Sequence, residues 1–113
     1  MSQQTNNQIV VLMMTASHAE EATRIAEMLV ERKLAACVQI LPPMTSIYVW
    51  KGEVERASEI LLIAKSTRAK FDELEEAVRA IHSYETPEII ALPIVAGSPS
   101  YLSWLSNCLE EGS

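Results

Sequence analysis

The run Ile60-Leu61-Leu62-Ile63-Ala64 limits what this chain can fold into more than any other feature. Successive side chains of a strand point to opposite faces of its sheet. Ile60, Leu62 and Ala64 therefore face one way, Leu61 and Ile63 the other. An antiparallel sheet with one face in water alternates toward polar residues on that face. Neither face is polar here, so both need cover. Ile9 to Thr15 and Glu88 to Val95 are also largely continuous apolar runs and read as further buried strands.

Helical periodicity fills the gaps between these strands. Ser17-His18-Ala19-Glu20 has the spacing of a capping box, with the Ser17 hydroxyl accepting from the Glu20 amide. The helix that follows puts Ala22, Ile25, Ala26, Leu29 and Val30 on one face and ends on Arg32 and Lys33, which suit the negative end of the helix dipole. Ala36 to Trp50 is strand-like, with a bend or bulge expected at Pro42-Pro43, because two prolines do not fit a regular ladder. Lys51-Gly52 supplies a turn and Glu53 to Lys65 runs back as a long strand. Thr67 is the expected cap of a second helix with Phe71, Leu74, Ala77, Val78 and Ile81 on its apolar face. His82 to Pro87 is a loop. After the strand from Glu88, Gly97 and Ser98-Pro99 lead into a final helix carrying Tyr101, Leu102, Trp104 and Leu105.

The order β-α-β-β-α-β plus a terminal helix predicts an α+β, ferredoxin-like fold with a long hairpin between the second and third strands. A chain of 113 residues suits one domain, 1–113, with an ordered core from about 9 to 108.

The two main helices of that fold cover one sheet face, and the terminal helix is too short to cover the other alone. The hairpin points the same way. Ala36 to Trp50 would reach about 50 Å if fully extended, whereas a domain of this size has a radius of gyration of about 13 Å. Its tip carries Tyr48 and Trp50, which on a projecting arm call for a partner surface. A homo-oligomer is expected, with no symmetry readable from these patterns.

Charge and cysteines remove whole classes of function. The net charge is −6 and the nine basic residues form no cluster, which excludes a phosphate-neutralising nucleic-acid binder. No apolar run is long enough to span a bilayer. Met1 to Gln8 is polar, with no basic residue and no signal-peptide pattern, so a cytoplasmic location is expected. Cys37 and Cys108 are too few for a disulfide scaffold and have no zinc spacing. Cys37 is expected to pack as a small hydrophobe. Three glycines leave no phosphate-cradling loop, and neither a nucleophile elbow nor HExxH occurs. A non-enzymatic role follows.

Several separated segments resemble one family. Glu31-Arg-Lys-Leu-Ala-Ala-Cys37, Ser46-Ile-Tyr-Val-Trp-Lys-Gly52, Tyr84-Glu-Thr-Pro-Glu88 through Leu92-Pro93, and Tyr101-Leu-Ser-Trp-Leu105 look like CutA-type divalent-cation tolerance proteins, in the same order, from Ile9 to about Cys108. The resemblance implies a very stable homotrimer whose sheets pack edge to edge, and a link to copper and heavy-metal tolerance with weak copper(II) binding. No cofactor is required for folding.

The family's soft site uses a cysteine where Met14 stands, and two adjacent histidines where Ile81 and His82 stand. Only His82 carries over, and methionine is a poor copper(II) ligand. His82 with Glu85 and Glu88 is therefore the candidate metal set, against a plain surface histidine favoured by the helix dipole. His18 is expected to be a surface residue.

Glu59, Lys65 and Glu88 are charges on strands that otherwise read as buried, so they should be paired. With Trp50 and Tyr84 they also outline an intersubunit cleft, the kind of place where ligands bind. Three readings compete: a metal-tolerance trimer, a small-molecule sensor like the PII signalling trimers, and a structural anchoring trimer. No nucleic acid or membrane partner is expected.

Overall fold

The computed structural model describes residues 7–110. The first strand, β1, is Ile9–Ala16 and leads into α1, Ala19–Glu31. β2 (Cys37–Ile40) and β3 (Met44–Trp50) both pair with the long β4 (Glu53–Thr67). A short 3-10 turn, Arg68–Lys70, runs into α2 (Phe71–Ile81), and β5 (Ile89–Pro93) and α3 (Pro99–Cys108) complete the order. The main sheet runs β2-β4-β1-β5, antiparallel throughout, with β3 extending the β2 side along β4. This is the ferredoxin-like arrangement read from the sequence.

The prolines act as expected. Ile40 pairs with Leu62 and Met44 with Glu59, so Leu41, Pro42 and Pro43 stand opposite only Ile60 and Leu61. One extra residue makes a bulge, and a bulge bends its strand and increases its twist. The predicted Ala36–Trp50 strand is thus two strands. The hairpin beyond it projects, and the described residues extend 44 Å along their longest axis.

The core lies between the sheet and the helices α1 and α2. Val10, Leu12 and Met14 of β1 and Ile60, Leu62 and Ala64 of β4 meet Ala22, Ile25 and Leu29 of α1 and Leu74 and Val78 of α2. Val30 is 44% exposed and Ile81 38%, so both fall outside the helix faces assigned to them. On the opposite sheet face Cys37 pairs with Lys65, and its thiol lies 3.7 Å from the Tyr101 hydroxyl of α3. The terminal helix therefore covers one end of this second face, burying Leu105 and Leu109. Ile90 and Leu92 of β5 stay 48% and 43% exposed.

Helix boundaries depart from the sequence reading where neighbouring elements run on. β1 continues through Ala16, so the cap of α1 moves one residue along, from Ser17 to His18, whose Nδ1 accepts from the Glu21 amide at 3.2 Å. His18 is exposed, as expected, but it works as a cap. α1 ends at Glu31 with no basic residue in its last turn. Lys33 takes φ +58°, its amide bonds the Val30 carbonyl, and the Leu34 amide bonds the Leu29 carbonyl. These two bonds make a Schellman ending, which normally carries glycine at the left-handed position. Thr67 still belongs to β4 and precedes the 3-10 turn, without a side-chain cap bond. The last strand is Ile89–Pro93, shorter than the expected Glu88–Val95.

Candidate functional site

The loop between α2 and β5 carries the densest polar chemistry of the described residues. It packs over the ends of β1 and α1, where Ser17, Glu21, His82, Ser83, Tyr84 and Glu59 meet.

Glu21 anchors it. Its carboxylate is almost wholly buried, and Oε1 accepts from the Ser17 amide and hydroxyl, each at 2.8 Å. Oε2 accepts from the Ser83 amide at 2.6 Å. Burial alone would raise this carboxyl. The hydrogen bonds from Ser17 and Ser83 outweigh burial and lower it from 4.5 to about 2. Among sequence signals, the capping-box pattern comes near this residue but selects Glu20, one position too early.

His82 is the C-cap residue of α2 and its side chain is fully buried. Nε2 lies 2.7 Å from the Thr15 carbonyl oxygen, and Nδ1 lies 3.0 Å from the Tyr84 amide. A carbonyl only accepts and an amide N–H only donates, so the imidazole is the neutral tautomer with its proton on Nε2. Nδ1 is also 3.7 Å from Glu21 Oε2. The expected surface histidine is therefore a buried one. Its ring faces inward because the loop folds back over the end of β1 instead of leaving the helix.

The candidate metal set does not fit a metal within one chain. Both nitrogens of His82 are engaged by backbone, while Glu85 and Glu88 are exposed. Among the described residues, no three or more His, Cys, Asp or Glu side chains come together as a metal site. Met14, at the family's cysteine position, is buried in the core on the helix side of the sheet.

One chain brings together two of the five cleft residues. The Tyr84 hydroxyl donates to Glu59 Oε2 at 2.7 Å, and the Tyr84 and His82 rings are tilted against each other with centroids 4.9 Å apart. Burial, then the bond to Glu59 and the repulsion of its charge, push the Tyr84 phenol well above its ordinary 10.0. Glu59 is 8% exposed, so its partner is a phenol and not the ion pair expected for a buried charge. Lys65 Nζ donates to Gln39 Oε1. Trp50 is 59% exposed at the hairpin tip, paired with Glu53. Glu59 is six positions along the strand from Glu53, and Lys65 six positions further, each about 20 Å at strand rise. Glu88 is exposed beyond Tyr84.

The cysteines are both free and half-buried, so Cys37 is not the enclosed hydrophobe expected of it. Hydrogen bonding with the Cys37 thiol, then burial, raise the Tyr101 phenol. Cys108 lines a shallow groove of about 400 Å³ with Lys33, Ala36 and Trp104. No helix of the described residues is long and apolar enough to cross a membrane.

Comparison with known proteins places this architecture. Residues 10–108 match the family model described as CutA1 divalent ion tolerance protein. A divalent-cation tolerance protein CutA from Thermus thermophilus is 50% identical over 84% of this chain and 92% of its own length. The chloroplastic protein CutA of Arabidopsis thaliana is 45% identical over 87% of this chain, which spans only 54% of that longer protein. Among solved structures, CutA1 from Oryza sativa superposes with a TM-score of 0.90 at 42% identity, covering 96% of this chain and 99% of that one. The periplasmic divalent cation tolerance protein CutA from Archaeoglobus fulgidus superposes with a TM-score of 0.88 at 43% identity, over 90% and 99%. The sheet order, the bulged hairpin and these matches agree, and the chain belongs to the CutA1 divalent ion tolerance protein family.

Proposed function

We propose that the chain acts as a homotrimer in divalent-cation tolerance, without catalysing a reaction, and that it meets its ligands between subunits. The observation that carries this reading is the apolar surface one chain leaves open. Ile47, Val49 and Val54 on one face of the hairpin and Trp50 on the other are 58–69% exposed, and Ile90 and Leu92 are exposed on β5 at the opposite side of the sheet. Large apolar side chains left open on a projecting hairpin and on a sheet edge mark interaction surfaces. Three copies is the number the family resemblance implies. A cytoplasmic location belongs to this reading, since the two free thiols suit a reducing compartment.

In that assembly, weak copper(II) binding falls to the exposed carboxylates of Glu85 and Glu88, brought together from different subunits. His82 is committed inside its own subunit. Sedimentation velocity at two protein concentrations tests the assembly. A three-chain particle, dissociated by Val49→Ser with Ile90→Ser, supports it, and a monomer at both concentrations overturns it. A calorimetric copper(II) titration tests the ligands. Loss of binding in Glu85→Gln with Glu88→Gln is expected, and wild-type binding in that double variant overturns the carboxylate site.

A second reading is a small-molecule sensor of the PII kind, with Trp50, Glu59, Lys65, Tyr84 and Glu88 lining an intersubunit cleft. The Tyr84–Glu59 pair favours it, because it sets a phenol and a carboxylate side by side in a partly enclosed place. Loss of a bound metabolite's heat signal in Tyr84→Phe would separate this reading from the cation reading.

A further inference from the structure

We infer that His82 is a positioning residue: held as the Nε2–H tautomer between the Thr15 carbonyl and the Tyr84 amide, it sets the turn that brings the Tyr84 hydroxyl to Glu59. The inference deepens the cleft reading, and only its functional meaning rests on that reading.

The imidazole has no free coordination site. Binding a cation at Nδ1 would displace the Tyr84 amide, 3.0 Å away. Binding at Nε2 would remove its proton and break the 2.7 Å bond to the Thr15 carbonyl. Either change strands a backbone group where the ring itself is fully buried, and stranded buried polar groups are costly. The ring's environment is therefore built for holding backbone.

What it holds is specific. An acceptor two residues before an amide is the geometry of an Asx turn, with the imidazole nitrogen in the role of the side-chain oxygen. The Nδ1 bond bends the chain from the end of α2 to Tyr84. The Nε2 bond ties that bend to the end of strand β1, across 67 residues of sequence. Ring contact between His82 and Tyr84 then orients the phenol, which reaches Glu59 on β4. Glu21 steadies the residue between them through the Ser83 amide.

The test uses wild type, His82→Asn and His82→Ala. Asn keeps an acceptor at the Nδ1 position and Ala does not. Ultraviolet titration reads the Tyr84 phenol, identified by its loss in Tyr84→Phe. In His82→Asn the phenol should stay raised. In His82→Ala it should ionise at lower pH, because the hydroxyl leaves Glu59. A stability loss common to both variants would not produce this split. An unchanged Tyr84 titration in folded His82→Ala overturns the inference. A second measurement does not depend on the variants folding. Nitrogen NMR of wild-type protein labelled in its histidines should show His82 protonated at Nε2 and bare at Nδ1, with nitrogen shifts that equimolar zinc(II), a diamagnetic cation, leaves at uncoordinated values. Protonation at Nδ1, or a coordination shift of a His82 nitrogen on adding zinc(II), overturns it. Neither experiment reads subunit number, so this inference and the trimer proposal fail separately.

Discussion

The Glu21 carboxylate accepts the Ser83 amide at 2.6 Å, joining the first turn of α1 to the loop after α2 across 62 residues of sequence. Together with the Ser17 bonds, it makes one buried side chain the fastener of three elements: the end of β1, the start of α1 and the loop that carries Tyr84.

Acid should release this fastener. The Glu21 carboxyl is lowered from 4.5 to about 2 in the folded chain. A depressed carboxylate stabilises the fold above its unfolded value and loses that contribution as pH falls through the folded one. The window is therefore pH 4.5 to 2, and the contribution is about 3 kcal/mol. Glu21→Gln should lower stability at pH 7 by about 2–3 kcal/mol and flatten the acid dependence below pH 4.5. Urea denaturation of both proteins at pH 7 and pH 3, at equal chain concentration, reads the difference. Parallel pH profiles would refute the role given to Glu21.

Ser66 offers a second, independent check. It is fully buried on β4, and its hydroxyl donates to the Leu34 carbonyl at 2.6 Å, tying the segment after α1 to the sheet. Ser66→Ala strands that carbonyl and should cost about 1–3 kcal/mol. Ser58→Ala, at an exposed position of the same strand, should stay within about 0.5 kcal/mol. Denaturation midpoints of the two variants give the comparison.

The hairpin turn predicts a gain. Lys51 and Gly52 have φ of +53° and +82°, both in the left-handed region. Positive φ at both central residues of a two-residue turn is the type I′ pattern, for which Asn-Gly is the preferred pair. Lys51→Asn should therefore raise stability by up to about 1 kcal/mol, since non-glycine residues other than Asn and Asp are strained there. Gly52→Ala should lower it by about 1 kcal/mol, although an added Cβ there would meet nothing within 4 Å. Thermal melts at fixed concentration measure both. Equal melting temperatures for Gly52→Ala and wild type would contradict the turn assignment.

Alternation and periodicity made most of the fold legible. The two-faced apolar run from Ile60 to Ala64 marked β4 as an interior strand with two faces to cover. The Pro42-Pro43 pair marked the bulge, and Gly52 the hairpin tip. These signals are local, because a strand's faces and a turn's φ values follow from neighbouring residues alone. Capping was read one position early at Ser17, because nothing local says that β1 holds its ladder through Ala16.

The candidate site was less legible. Tyr84 and Glu59 both stood out as cleft residues, but nothing in the sequence paired them with each other, and Glu21 and Ser17 carried no functional signal beyond helix capping. His82 looked like a surface ligand because it follows the last turn of an exposed helix end. Only the closed sheet decided otherwise. It puts the end of β1 beneath the loop after α2, and there the Thr15 carbonyl and the Tyr84 amide take both imidazole nitrogens. By itself, then, the sequence determined the elements, their order, the bend in the hairpin and the need to cover a second apolar face. The tertiary structure decided which polar groups meet, because those contacts join residues 25 to 67 positions apart and exist only once the chain is packed.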